Sequence, residues 1–141
     1  RSIVDLKKLG DHQIRIDCDV IQADGGTRTA SITGAWVALY ESINFLLKSG
    51  KITENPIFDQ VGAISCGIYK NFEIIDLDYE EDSNAETDGN FVMTANNGLV
   101  EIQTTAEEKP FNKKKFLDLL ELAENGTKSI FEIQRRALNL N

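Results

Sequence analysis

The 141-residue sequence is poor in the residues that form common catalytic and metal sites. It has a single histidine, His12, at the start of an alternating segment, where a surface position is more usual than a catalytic one. Its two cysteines, Cys18 and Cys66, are far apart, which excludes paired Cys/His zinc spacing and gives no indication of a thiolate nucleophile. Both lie in apolar alternating runs, so we expect buried free thiols in a reducing compartment.

Long hydrophobic runs and an excess of positive charge are also missing. No stretch reaches the ~18 apolar residues of a membrane span, and no charged segment leads into an apolar leader, so we expect neither a membrane partner nor a signal peptide. Lys and Arg number 15 against 23 Asp and Glu, and the net charge of −8 does not by itself favour a polyanion. The composition, 41% hydrophobic and 27% charged, is typical of a globular chain, and the length is that of one domain.

The hydrophobic periodicity predicts an α+β fold. Residues 12–21 alternate and predict a half-buried strand, whose apolar face carries Ile14, Ile16, Cys18 and Val20. Four further strands, joined pairwise by turn residues at 70–71 and 96–98, are predicted at 61–69, 72–77, 90–95 and 99–105. Three helices are predicted at 27–49, 112–126 and 128–138. The first is expected to end at Gly50, and the second to begin at Asn112 and end at Gly126.

The turn Gly25-Gly26-Thr27-Arg28 is the stretch best suited to binding a ligand. Its glycines let a ligand approach the backbone, and the predicted helix start offers free N–H groups beside a hydroxyl and a guanidinium. This combination suits a phosphate, although an ordinary strand-to-helix turn has the same glycines. Neither the P-loop spacing nor the dinucleotide-binding spacing is present.

Acidic residues are concentrated in the turn-rich stretch 76–88. They are Asp76, Asp78, Glu80, Glu81, Asp82, Glu86 and Asp88. Such a loop either holds a hard divalent cation through its oxygens or is an ordinary solvated loop. The one local basic run, Lys113-Lys114-Lys115, is either a solvated helix face or a contact for RNA.

Residues 17–35, which contain the glycine turn, resemble the signature of the bacterial ribonuclease PH family. Shorter blocks that resemble the same family follow in order, at 77–83, 85–88, 100–103, 105–107 and 134–138. The resemblance implies a ribonuclease PH-like fold (ribosomal protein S5 domain 2-like), in which helices pack on a mixed sheet. It also implies a cytoplasmic, phosphate-dependent 3′→5′ exoribonuclease. Such an enzyme trims transfer RNA precursors and other RNA 3′ ends, releases nucleoside diphosphates and assembles as a hexameric ring of dimers.

The resemblance also implies roles for particular residues. Gly26, Thr27 and Arg28 match the phosphate-binding triplet of the family, with inorganic phosphate as the attacking co-substrate. Asp82 and Asp88 match its pair of acidic catalytic positions, which are expected to hold Mg²⁺ against the scissile phosphate.

Two departures from the family pattern stand out. Gly89 replaces a methionine, and this change is expected to loosen the neighbouring Asp88 carboxylate. The chain begins at Arg1 and matches only the later portion of the family protein, so residues 1–141 are expected to form an N-terminally incomplete domain. A catalytically inactive structural ring subunit or split remnant is therefore the alternative. We also expect poor solubility, or pairing with a partner such as the absent N-terminal polypeptide.

Overall fold

The computed structural model describes residues 1–107 and 109–140. Its helices are α1 (Leu6–Leu9), α2 (Thr27–Lys48), α3 (Tyr79–Ser83) and α4 (Lys113–Ala137). Its strands are β1 (Val61–Tyr69), β2 (Phe72–Ile75), β3 (Thr87–Thr94) and β4 (Leu99–Ala106). The predicted α+β class is confirmed. In the described ranges, no helix is both long enough and apolar enough to cross a bilayer.

The four strands form one sheet in the order β2-β1-β3-β4. The resemblance implied a mixed sheet, whereas each pair of neighbouring strands in the described residues is antiparallel. Both predicted hairpins are present. Lys70 and Asn71 have φ angles of 51° and 67°, the left-handed conformation that a tight two-residue hairpin turn requires. Asn97 adopts the same region, with φ of 62°, in the second hairpin.

Helix α4 covers one face of the sheet. Even-numbered residues of β1 point toward it, and Ile64, Cys66 and Ile68 form the main core with Leu119 and Ala123. Burial raises the pKa of the Cys66 thiol to about 12, with a smaller contribution from the charge of Asp76, so this thiol is neutral. The buried free thiol expected at Cys66 is therefore confirmed.

Helix α2 lies against the part of β1 that β2 leaves unpaired. The strand β2 pairs only with residues 66–69 of β1. In the part of β1 before residue 66, the Thr33 hydroxyl of α2 donates to the Ala63 carbonyl and accepts from the Ala63 N–H, both at 3.2 Å. The buried Gln134 amide then donates to the Thr33 carbonyl at 2.8 Å, which links α2 to α4. Through these bonds α2 satisfies main-chain groups at an otherwise open sheet edge.

The predicted strand at 12–21 is wrong. No strand in the described part of the chain pairs with it, and Ile16, Val20 and Ile21 are 43, 56 and 101% exposed. Cys18 is also exposed, so its predicted burial is wrong. An alternating segment forms a strand only where a neighbouring strand pairs with its backbone and another layer covers its apolar face. Both partners are missing from the described residues.

The predicted helix end at Gly126 is also wrong. One continuous helix, α4, runs from Lys113 to Ala137, and the Asn112 side chain caps it as predicted by accepting from the Lys115 N–H at 3.0 Å. Gly126 instead marks a close approach of α4 to the sheet. A Cβ at this position would lie 2.2 Å from Ile75 Cδ1 and 2.7 Å from Ile64 Cδ1.

The remaining boundaries are close to those predicted. Helix α2 begins at Thr27 and is followed by Gly50 with φ of 68°, as expected of a helix-ending glycine. Strand β2 ends two residues early because Asp76 turns the chain with φ of 56°. Strand β3 begins at Thr87, three residues before its predicted start, and so includes Asp88.

Substitution of Gly126 by alanine tests the close approach of α4. Overpacking should cost about 1–3 kcal/mol, against about 0.5–1 kcal/mol gained in helix propensity, so we expect a lower free energy of unfolding. Gly34→Ala in α2 is the matched control and should stabilise the chain, since among the described residues, apart from its chain neighbours and its own helix backbone, no atom lies within 4 Å of its Cβ position. Urea unfolding of the two variants measures the difference. Equal stabilisation by both substitutions would contradict this explanation.

Candidate active site

The glycine turn is held in shape by its own side chains. The Thr27 hydroxyl donates to the Asp24 carbonyl at 2.7 Å and accepts from the Asp24 N–H at 3.4 Å. Gly26 is the N-cap of α2 and adopts φ of 70°, a conformation that favours glycine. Among the described residues no side chain caps this helix, so its first N–H groups are open to an anion.

The same turn contacts the chain just before α3. A Cβ on Gly25 would lie 2.0 Å from the Leu77 carbonyl oxygen and 2.7 Å from the Asp78 carbonyl carbon. Across this contact, Asp24 Oδ1 accepts from the Tyr79 N–H at 2.7 Å. Only a glycine permits this approach, and the approach fixes the start of α2 against the start of α3.

Asp82 lies in α3 and Asp88 lies in β3, a few residues further along. The pKa of Asp88 is raised above its ordinary value, chiefly by burial and next by the negative charge of Asp82, with a smaller contribution from Glu107. A hydrogen bond from the Gly89 backbone opposes the rise in the pKa. The two sequence-predicted carboxylates are therefore close enough to interact electrostatically.

Three other carboxylates of the acidic stretch serve the local fold. Asp78 and Glu81 form a capping box at the start of α3, which satisfies the free N–H groups of that short helix. Glu86 accepts from the Asn71 N–H at 2.8 Å and so supports the first hairpin turn. The sequence did not distinguish these structural carboxylates from Asp82 and Asp88.

A divalent cation fits the pair formed by Asp82 and Asp88. Among the described residues, no group of three or more His, Cys, Asp or Glu side chains is placed to hold a metal. Mg²⁺ is typically held by one or two carboxylates, with water and substrate phosphates completing its shell. The donor chemistry of this pair therefore suits Mg²⁺ and does not suit a closed zinc site.

Arg28 makes a contact that the sequence did not reveal. Its Nη2 donates to both carboxylate oxygens of Glu101 on β4, at 2.7 and 2.8 Å. Glu101 pairs with Val92 across the sheet, so it lies on the same face as Asp88, opposite α4. From the sequence, strand alternation indicates only which face of the sheet Glu101 lies on. Its position beside Arg28 follows from the register of the sheet, which the sequence does not give.

Gly89 leaves no gap beside Asp88 in the sheet, and the expected loosening of that carboxylate stays a prediction. Successive residues of a strand point to opposite faces, and the space at Gly89 is filled from the α4 side. A Cβ there would lie 3.0 Å from Phe91 Cε2, 3.1 Å from the Cys66 carbonyl oxygen and 3.2 Å from Thr104 Oγ1.

Two other sequence candidates lie apart from this site. His12 is exposed, and its Nδ1 is 3.3 Å from the Leu9 carbonyl oxygen. In the basic run, Lys115 forms an ion pair with Glu73 and donates to the Asn71 carbonyl at 3.2 Å. Lys113 and Lys114 are exposed, as on a solvated helix face.

Two family models match the chain. The model described as domain 1 of the 3′ exoribonuclease family matches residues 1–43, and the domain 2 model matches residues 59–126. Ribonuclease PH of Methylorubrum populi and that of Caulobacter vibrioides are each 54% identical to the chain over 138 residues. These matches cover 98% of the chain but 58% of either relative, so the chain spans less than two thirds of the length of the curated relatives it matches.

Solved structures share the fold. Rice Rrp46 is similar with a TM-score of 0.65 at 18% identity, over 84% of this chain and 51% of that one. A chain of an Archaeoglobus fulgidus exosome with RNA bound to the active site is similar with a TM-score of 0.60 at 21% identity, over 79% and 44%. These similarities agree with the ribonuclease PH-like fold that the resemblance implied.

The raised pKa of Asp88 predicts a pH-dependent stability. Folding favours the protonated form of the Asp88 carboxyl. The contribution of Asp88 to the free energy of unfolding is therefore fully present below the ordinary pKa of Asp, and it is lost as the pH rises through the raised pKa of the folded state. Asp88→Asn stays neutral at every pH, so it should raise the free energy of unfolding near neutral pH and lose that advantage in acid.

Urea unfolding across this pH range makes the comparison. As a control, Asp82→Asn should bring the pKa of Asp88, followed by carboxyl NMR, partway back toward its ordinary value, because burial still raises it. An Asp88→Asn chain that is no more stable than the parent near neutral pH would contradict the account.

Proposed function

Because this chain belongs to the 3′ exoribonuclease family, we propose that it acts as a phosphate-dependent 3′→5′ exoribonuclease of the ribonuclease PH type. Its substrates are the 3′ ends of transfer RNA precursors and other RNAs, and its products are nucleoside diphosphates. The observation that carries this proposal is the hydrogen bond from the Tyr79 N–H to Asp24 Oδ1, at 2.7 Å. It joins the turn suited to phosphate to the helix that contains Asp82.

Inorganic phosphate is the nucleophile in this proposal. The open N–H groups at Gly26 and Thr27 and the Arg28 guanidinium bind it and orient one oxygen toward the terminal phosphorus of the RNA. A new P–O bond forms while the bond from phosphorus to the 3′ oxygen breaks. The products are a nucleoside diphosphate and an RNA shortened by one residue. Positioning and neutralisation of charge carry most of the catalysis in such a transfer.

Asp82 and Asp88 have two roles in the proposal. Together they would hold Mg²⁺, which would supply positive charge against the phosphate oxygens. The raised pKa of Asp88 belongs to the site without the cation, because a carboxyl group ligates a metal only when it is deprotonated. A carboxyl of the pair that is not ligating the cation would be suited to give a proton to the departing 3′ oxygen.

Assembly, location and domain extent also belong to the proposal. We propose a cytoplasmic ring of dimers, in which residues 1–141 contribute one unit. The single-unit interpretation is supported by the contacts of both long helices with the same strand, β1. Because the curated relatives are longer than the match, the activity test includes a polypeptide equivalent to their unmatched part.

A catalytically inactive structural ring subunit is the second candidate. The ion pair of Arg28 with Glu101 favours it, because this pair offsets the charge of the one cation in the phosphate-binding triplet. The chain's net charge of −8 also disfavours binding RNA through this polypeptide alone.

The two candidates differ in whether nucleoside diphosphates form. The chain is incubated with transfer RNA precursor, phosphate and Mg²⁺, with and without the additional polypeptide. We expect release that requires phosphate and stops when Mg²⁺ is chelated. Asp88→Ala should lower the rate by about 100-fold or more, and Arg28→Lys by about tenfold or more.

Glu121→Ala removes an exposed carboxylate on α4 and serves as the control with an unchanged rate. No release from the folded chain under either condition would overturn the enzymatic proposal in favour of the structural subunit. Release that survives Asp88→Ala would instead overturn the role of the acidic pair.

A further inference from the structure

We propose that Glu101 is a positioning residue, which holds Arg28 on the side of the candidate phosphate site opposite the acidic pair. The inference rests on the function proposed above and assigns to the site a residue outside its phosphate-binding and acidic sets. Three features of the structure carry it: the atoms used in the ion pair, the register of the sheet and the charges around the site.

Glu101 engages only one nitrogen of Arg28. Nη2 donates to both carboxylate oxygens, at 2.7 and 2.8 Å. A guanidinium has donors on three nitrogens in a rigid plane, so Nε and Nη1 keep theirs for a further acceptor. Glu101 therefore holds one end of the guanidinium without using all of its donors.

The sheet register separates Glu101 from Asp88 on one face. Asp88 pairs with Thr105, Asn90 with Gln103, and Val92 with Glu101. The levels of Asp88 and Glu101 are therefore four residue steps apart along the strand, a distance of about 13 Å. Gly26 lies near Ser65, and Ser65 pairs with Asn90. Asn90 is halfway along β3 between Asp88 and Val92, the partner of Glu101, so the start of α2 lies at a level between the two carboxylates.

The negative charges of the site explain why the contact of Arg28 with Glu101 matters. Asp82 on α3 and Asp88 on β3 form a negative pair, and a carboxylate is the usual partner of an arginine that is not already paired. An Arg28 that turned to those carboxylates would no longer present donors to phosphate and would displace the cation that the pair is suited to hold. The contact with Glu101 keeps the guanidinium and the carboxylates apart, with room for a phosphate between them.

Glu101→Ala and Glu101→Gln, in the full chain, test the inference. The alanine variant removes the anchor, so we expect the Michaelis constant for phosphate to rise by about tenfold or more while kcat changes less. The glutamine variant keeps an acceptor oxygen for Nη2 without the charge, so we expect most of the affinity to be rescued. Glu73→Ala breaks a second strand–helix ion pair, with Lys115, and is the matched control with unchanged phosphate kinetics.

A second readout does not depend on activity. The Nε–H resonance of Arg28 should report an ordered side chain in the parent and in Glu101→Gln, and a mobile one in Glu101→Ala. Unchanged order of Arg28 in Glu101→Ala would overturn the inference.

Tighter use of phosphate by both variants would also overturn it, because Glu101 would then act as a competitor of phosphate. A parent chain that neither binds phosphate nor releases nucleoside diphosphates would overturn the proposed function and this inference together. Phosphate kinetics that Glu101→Ala leaves unchanged would overturn the inference alone.

Discussion

The contact of Gly25 with the main chain at residues 77 and 78 is the constraint on which the candidate site depends. A side chain at this position would meet the Leu77 carbonyl oxygen at 2.0 Å, so only glycine lets the turn lie against the chain before α3. The Asp24 carboxylate adds a hydrogen bond across the same contact. Both the start of α2, with its open N–H groups, and the start of α3, with Asp82 one turn on, take their places from this junction.

The charge of the site follows from that geometry. The Arg28 guanidinium is paired with Glu101, while the negative charge of Asp82 opposes the ionisation of Asp88. Burial of Asp88 adds to the repulsion by disfavouring its ionised form. Such an arrangement is costly in the free protein and becomes favourable when a cation and a phosphate share it. The location of Arg28 at one side and the acidic pair at the other therefore suits chemistry on a phosphate held between them.

Short-range chemistry explains which parts of the fold and the site were predictable. Helix α2, both hairpins and the Asn112 cap follow from apolar periodicity, turn residues and a side-chain acceptor close in sequence. The segment 12–21 and Gly126 were misjudged because a missing strand partner and a close helix–sheet contact are tertiary facts. In the site, the glycine turn and the acidic residues were recognisable, whereas Glu101 lies 73 residues from Arg28 and meets it only through the sheet register.

One junction unites the candidate phosphate-binding turn with the acidic pair. Titration of the ¹⁵N-labelled chain with inorganic phosphate, in the presence of Mg²⁺, tests it most directly, because each backbone amide reports its own surroundings. We expect saturable shifts at the amides of Gly26, Thr27 and Arg28 that develop together with shifts at Asp82 and Asp88. Saturable shifts confined to other parts of the chain, or no saturable shift at the turn, would contradict it.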